Sequence, residues 1–303
     1  MRSYRYIHLD VFTDRPLSGN QLAVFLDGRG LSADAMQAIA KEMNFSESAF
    51  VLPAEQNDTD FRVRIFTPAA EIAMAGHPTV GTAFALARSG TIEPGRDRVV
   101  FGLGIGPTPV SFTWQDDEMT FAWMTQGLPE FGVPIPDPSG AAAALHLPSA
   151  AVAGTGLPVQ TVSCGVPFLF VPLATRRAVD SASLDAEAYE RFLRAAHLEE
   201  LPVFLFSSET AGDKATVYSR MFAPMLGIAE DPATGVASGP LGCYLVRHKV
   251  VPAERAGSML SLQGVKMGRP SQIHIAVGAK NGEILNVRIG GQSVVAGEGT
   301  LYL

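Results

Sequence analysis

The sequence predicts an α+β protein built from two similar halves, and three observations carry that expectation. Arg64-Ile-Phe-Thr-Pro68 recurs as Arg220-Met-Phe-Ala-Pro224, an offset of 156 residues. His77-Pro-Thr-Val-Gly81-Thr-Ala83 parallels Asp231-Pro-Ala-Thr-Gly235-Val-Ala237 at an offset of 154. Short β-rich apolar segments run through the whole chain, broken by a few helical patterns. An offset near half the length means two similar domains rather than a solenoid. The 303 residues suit two domains of about 100–200 residues each.

Taken in order, Tyr6–Phe12 alternates as a strand, Arg15–Asn20 is a Pro/Gly/Asn turn, and Gln21–Leu26 is an apolar strand closing a hairpin. Leu31–Asn44 reads as a helix capped at Ser32, with Met36, Ile39 and Met43 at helical spacing. Phe50–Leu52 and Phe61–Phe66 are strands, Thr67–Gly76 is a loop, and His77-Pro78 opens a small-residue helix running to Arg88. Strands follow at Val99–Phe101, Val110–Thr113 and Met119–Trp123. The Pro-, Ala- and Ser-rich stretch 129–158 reads as a linker, with Ala141–Ala144 as a short helix. It separates domain 1–128 from domain 159–303, whose last strand is free to cross back into the first. The second domain is expected to hold strands Val159–Val162, Phe168–Pro172, Val203–Ser207, Ala215–Phe222 and Ile273–Val277, and a helix Asp185–His197.

Composition narrows the function. Hydrophobic residues are 47% and charged ones 17%, the latter against about 25% in an average soluble protein. Net charge is −7 with no Lys/Arg cluster, so neither nucleic acid nor an anionic membrane surface is an expected partner. No apolar run approaches the roughly 18 residues of a membrane span, and no signal peptide is read, so a cytoplasmic setting is expected. Two cysteines make no disulfide framework.

The repeat has a physical meaning. Proline suits the first position of a helix, so each block reads as a strand, a loop and a Pro-initiated helix, with His77 or Asp231 at the cap. Helix N-termini present free N–H groups and favour anions. Two such ends facing one cleft suit a small carboxylate. Around them stand Gly76, Pro78, Thr79, Thr234, Gly235 and Val236 as the expected substrate contacts. A cleft that also held Glu47, His77 and Asp231 would contain groups able to move protons near neutral pH. Singly, none decides the matter: Glu47 reads as a solvated turn residue, His77 as a capping or core histidine, Asp231 as an N-cap. Templates for zinc sites, P-loops, dinucleotide folds and nucleophile elbows all fail, so neither metal nor cofactor is expected.

Further motifs run the length of the chain: Asp10-Val11-Phe12-Thr13, Gly19-Asn20-Gln21-Leu22-Ala23-Val24, Asn44-Phe45-Ser46-Glu47-Ser48, Ala75-Gly76-His77-Pro78-Thr79-Val80-Gly81, Glu230-Asp231-Pro232-Ala233-Thr234-Gly235, Gln263-Gly264 and Met267-Gly268-Arg269-Pro270-Ser271. On these motifs together the chain resembles the PhzF-like isomerase family of phenazine biosynthesis. The resemblance implies the diaminopimelate epimerase-like fold, in which each domain is a curved, mostly antiparallel sheet around a central helix, here Pro78–Arg88 and Pro232–Arg247. It further implies a homodimer and a cofactor-independent isomerase. Glu47 would carry the proton, and His77 and Asp231 would hold the substrate. Gly76 and Gly235 would supply room and N–H donors to the carboxylate. No thiol stands where the two-cysteine epimerases of this fold carry theirs. Val236 replaces the serine of the phenazine enzymes, which leaves open a non-catalytic carboxylate-binding protein on the same fold.

Overall fold

The computed structural model describes residues 2–280 and 282–303. The first half runs β1 (Ser3–Val11), β2 (Asn20–Phe25), α1 (Ala33–Met43), β3 (Glu47–Pro53), β4 (Phe61–Phe66), β5 (Glu71–Ile72), α2 (Gly76–Arg88), β6 (Arg98–Leu103), β7 (Gly106–Gln115) and β8 (Glu118–Gln126). Then come β9 (Glu130–Phe131), α3 (Ser139–Ala144), α4 (Ala150–Ala153), β10 (Gln160–Ser163), β11 (Pro167–Pro172), α5 (Arg176–Ser181) and α6 (Ala186–Ala195). The chain continues through β12 (Val203–Ser207), β13 (Val217–Ala223), β14 (Ile228–Asp231) and α7 (Gly235–Arg247). It ends with β15 (Met259–Gln263), β16 (Ser271–Lys280), β17 (Glu283–Gly291) and β18 (Ser293–Tyr302).

The strand pairings repeat. In the first half β1–β2 is antiparallel, β2–β3 parallel, β3–β4 and β4–β5 antiparallel, β4–β6 parallel, and β6–β7 and β7–β8 antiparallel. The second half makes the same series from β10–β11 through β16–β17. Strands β8 and β17 pair with each other across the seam, Val287 opposite Gln126 and Ile289 opposite Met124. The chain also crosses over at both ends of the repeat, β18 lying along β1 and β9 along β10.

Each half folds its sheet round one helix. α2 touches β1, β2, β3, β7 and β8, while α7 touches β10, β11, β16 and β17. Both helices are apolar or small-residued on every face, which is why they sit inside the sheets rather than on them. Every residue of α2 from Gly76 to Leu86 is buried. One core runs through both halves and both helices. A second packs α1 onto Tyr4, Phe25, Phe50 and Phe66. Helix α1 starts as expected, with the Ser32 hydroxyl accepting from the Ala35 N–H at 3.2 Å, and ends at Asn44 in the left-handed region.

Several expectations need correction. Helix α7 starts at Gly235, not Pro232, and Asp231 is the last residue of β14, opposite Met221. The cap positions are Ala75 and Thr234, and Pro78 is the third residue of α2. The 154-residue alignment is therefore displaced. Ile65 faces Ile72 in β4–β5 and Met221 faces Asp231 in β13–β14, so the offset widens from 156 to 159 and stays there through the helices. The counterpart of His77 is Val236, and that of Asp231 is Ile72. The stretch 129–158, read as a linker, is folded: Ala141, Ala142, Ala144, Leu145 and Val152 are buried in a third core with Tyr189, Leu193 and Val203.

Candidate active site

Four element ends meet between the halves. Asn20 opens β2, Glu47 opens β3 beside Leu22 in a parallel pair, His77 is the second residue of α2, and Asp231 closes β14. Taken alone, Glu47 reads as a solvated turn residue. The pairing with β2 instead makes it a strand residue, buried at 8% exposure. Gly76 and Gly235 bring the two helix N-termini into contact at the same point, since neither carries a Cβ to hold them apart.

A hydrogen-bond network fixes Asp231. Its Oδ1 accepts from Asn20 Nδ2 at 2.7 Å and from the Ser46 hydroxyl at 3.4 Å, and its Oδ2 accepts from the Thr234 hydroxyl at 2.5 Å. Asn20 Nδ2 also donates to the Ala233 carbonyl and lies 3.1 Å from His77 Nδ1. Gln263 closes the ring: its Nε2 donates to the Asp231 carbonyl and the Thr234 hydroxyl, and its Oε1 accepts from the Thr234 N–H. By contrast, Glu47 Oε2 and His77 Nε2 approach to 3.1 Å without the alignment of a hydrogen bond, and both buried atoms lack a partner. Buried polar atoms are normally satisfied, so this pair is open to a polar group of a bound molecule.

Burial pushes the Glu47 carboxyl well above the usual range, and the neighbouring Asp231 carboxylate adds to the rise. Burial likewise lifts Asp231 to about 6, against the opposing bonds from Thr234, Asn20 and Ser46. It lowers His77 to about 3, so the imidazole is neutral at physiological pH. Two carboxyls with raised pKa values beside a neutral imidazole are groups chemically able to exchange protons with a bound molecule.

These groups line a cavity of about 400 Å³. Gly76, Thr234, Gly235 and Val236 line it too, whereas Pro78 and Thr79 do not. Both are buried within α2, and the Thr79 hydroxyl is taken by the Ala75 carbonyl at 2.6 Å. Apart from Glu71, which Arg64 holds in an ion pair, the remaining wall is largely apolar, with Ile72, Met74, Ile105, Val166, Phe168, Met221, Leu226 and Ile228 among its residues. No lysine or arginine lines it. Cys164 and Cys243 are buried with their sulfurs 4.0 Å apart, and neither lines the cavity.

The repeat assigns each wall its origin. Ser48 faces Phe66 as Val203 faces Phe222, so Pro202 stands where the first half has Glu47. Val236 stands where it has His77. Glu47 and His77 thus come from the first half, and the second half contributes Asp231 with the Thr234 hydroxyl bonded to it. Asn20, Ser46 and Gln263 are site residues that the sequence alone does not single out, although all three lie in the motifs that carry the resemblance. Their neighbours in sequence give no sign that they converge on Asp231.

The chain matches the family described as phenazine biosynthesis-like protein, PhzC-PhzF, over residues 9–299. It is 36% identical to a trans-2,3-dihydro-3-hydroxyanthranilate isomerase of Pseudomonas aeruginosa, covering 99% of this chain and 100% of that one. The structure resembles that of a PhzF-family phenazine biosynthesis protein of Bacillus anthracis, with a TM-score of 0.88, 26% identity and 100% of both chains covered. A hydroxyproline epimerase of Agrobacterium vitis, only 13% identical, shares the fold at a TM-score of 0.70 over 99% of this chain and 92% of that one. Among the described residues no helix is long and apolar enough to cross a membrane. With its whole length matched in sequence and in fold, this chain belongs to the phenazine biosynthesis-like (PhzF) family and is an isomerase.

Proposed function

We propose that this isomerase moves a proton within a small carboxylate-bearing metabolite, cyclic or amino acid-like, with Glu47 as the acid/base group and no cofactor. The observation that carries the reading is the pair of unpartnered buried atoms, Glu47 Oε2 and His77 Nε2, on the wall of a cavity between two helix N-termini. A substrate carboxylate finds its donors at the free N–H groups of α2 and α7, because no cationic side chain lines the cavity. Asp231 faces a substrate amine or hydroxyl, and His77 orients the reacting part beside Glu47.

The asymmetry of the halves supports one carboxyl working from one face. A two-base inversion needs an acid and a base from opposite sides; here Pro202 and Val236 occupy the positions matching Glu47 and His77, and the second-half carboxyl on the wall, Asp231, has both oxygens engaged by Asn20, Ser46 and Thr234. Glu47 therefore takes a proton from one carbon and returns it to another of the same molecule. Its raised pKa brings proton gain and loss closer to neutral pH, where such a group is most effective. The homodimeric, cytoplasmic setting expected from the sequence belongs to the same proposal.

Deuterium uptake tests it. In D₂O, with trans-2,3-dihydro-3-hydroxyanthranilate and a panel of cyclic amino and hydroxy acids, the wild type is expected to label at least one compound. Glu47→Gln should bind that compound and lose labelling by about 10²–10⁴-fold or more. Labelling that persists in Glu47→Gln assigns the base elsewhere, and saturable binding without labelling in the wild type removes the catalytic reading altogether.

A further inference from the structure

The motif that first marks the repeat in the sequence is not used by the proton-transfer groups. In the second half the Arg220 guanidinium donates to both carboxylate oxygens of Glu230 at 2.8 Å. Its remaining nitrogen donates to the Val179 and Ala182 carbonyls at the end of α5, at 2.9 and 2.7 Å. The guanidinium lies 4.8 Å over the Phe222 ring. In the first half Arg64 grips Glu71 in the same two-pronged way and lies 5.2 Å over Phe66. The residue that follows each glutamate is a cavity residue, Asp231 in one half and Ile72 in the other.

The two grips differ in setting. The Arg220 and Glu230 side chains are 7% and 16% exposed, against 21% and 37% for Arg64 and Glu71. A buried ion pair is a poor stabiliser, since desolvation offsets its attraction, but it fixes geometry when fully hydrogen-bonded. Geometry is what β14 lacks. Only two register pairs join it to β13, Met221 with Asp231 and Ala223 with Ile228, with an irregularity between them.

We infer that the Arg220–Glu230 pair positions the Asp231 carboxylate in the cavity, tying it through Phe222 and the end of α5 to the frame of the second half. Arg220 and Glu230 are then positioning residues, and Arg64–Glu71 is the mirror device that seats the apolar Ile72. The inference rests on Asp231 being a site residue. Lysine cannot replace Arg220, because one ammonium cannot hold both oxygens, stack on the ring and reach α5 together.

The test uses the full chain with Arg220→Lys and Glu230→Gln, and Arg64→Lys as the mirror control. The first readout is the pair of Asn20 side-chain amide signals in ¹H–¹⁵N NMR spectra, assigned by their loss in Asn20→Ala. These protons bond Asp231, so they report its place without any substrate. Both second-half variants should melt cooperatively yet move the Asn20 signals, while Arg64→Lys leaves them in place. The second readout is deuterium uptake into trans-2,3-dihydro-3-hydroxyanthranilate, with kcat/KM expected to fall ten-fold or more in Glu230→Gln. Should Glu230→Gln not fold, Arg220→Lys decides alone. Unmoved Asn20 signals in a folded second-half variant overturn the inference, as does an equal movement in Arg64→Lys. If the wild type labels no compound, the proton-transfer reading falls while the NMR comparison still decides positioning.

Discussion

Gly76 and Gly235, the first residues of the two central helices, meet back to back. A Cβ on Gly76 would stand 2.6 Å from the Gly235 Cα, and one on Gly235 would stand 3.0 Å from the Gly76 Cα. For Gly76 the obstacle is main chain, which cannot swing aside as a side chain can, and for Gly235 it is main chain together with the buried Phe12 ring. Gly76→Ala and Gly235→Ala are therefore expected to cost about 1–3 kcal/mol, the range for overpacking a dense core. They also part the helix ends on which a carboxylate would sit. Urea unfolding and ligand binding check this together, and an alanine variant as stable as wild type would refute the contact.

The legible parts of the fold were those with local causes. Helix α1 carried its own cap in Ser32 and a clear apolar stripe, and β12 was a short apolar run whose bounds the sequence marked correctly. Helix α7 was misplaced because a proline after an aspartate is a good local start signal. Pairing of Asp231 with Met221 overrides it, and the chain bends through three non-helical residues before α7 begins. Strands β17 and β18 have no legible bounds in the sequence, which allows only that a last strand crosses back. Their stretches, Glu283–Gly291 and Ser293–Tyr302, are glycine-bearing and much exposed, and they are strands because β8 and β1 supply partners. The same holds for the site. Glu47, His77 and Asp231 stood in recognisable motifs, but Val166, Phe168 and Met221 become a cavity wall only when the two sheets close on each other.

The pH dependence of stability has a definite sign. Asp231 titrates at about 6 in the folded protein and at about 3.9 in an unfolded chain. The stability from its protonated form is thus complete below pH about 4 and is lost as pH rises through about 6. Glu47 acts in the same direction. His77, lowered to about 3, acts in the opposite one: its contribution is complete above pH about 6.5 and is lost as pH falls. Asp231→Asn isolates the first effect. Between pH 4 and pH 7.5 it should gain on wild type by on the order of 2–3 kcal/mol in urea unfolding. A difference that does not vary with pH would mean that Asp231 is not held protonated by burial.

Asn20 opposes that burial. Its amide bond to Asp231 Oδ1 favours the carboxylate and is one of the influences that restrain the rise to about 6. Asn20→Ala removes a bond to a charged acceptor, which is worth about 1.5–3 kcal/mol. The Asp231 midpoint should therefore climb further, read from its carboxyl carbon in a ¹³C NMR titration. The same variant should loosen His77, whose Nδ1 lies 3.1 Å from the lost amide. A midpoint that stays or falls would transfer the restraint to Thr234 and Ser46.

Val236 tests which part of the substrate faces the second half. It occupies the helical position of His77 in the repeat and joins Ile72, Val166 and Phe168 on the cavity wall, where no free hydroxyl is offered. The only hydroxyl on that wall, Thr234, is already engaged with Asp231 and Gln263. Val236→Ser places a donor at the start of α7, and an apolar pocket discriminates against an added hydroxyl by only about 10². The ratio of kcat/KM for trans-2,3-dihydro-3-hydroxyanthranilate to that for its 3-deoxy counterpart should therefore rise by about ten- to a hundred-fold. If the ratio does not move while both compounds still turn over, the substrate's hydroxyl lies on the Glu47–His77 side, and Val236 contacts carbon alone.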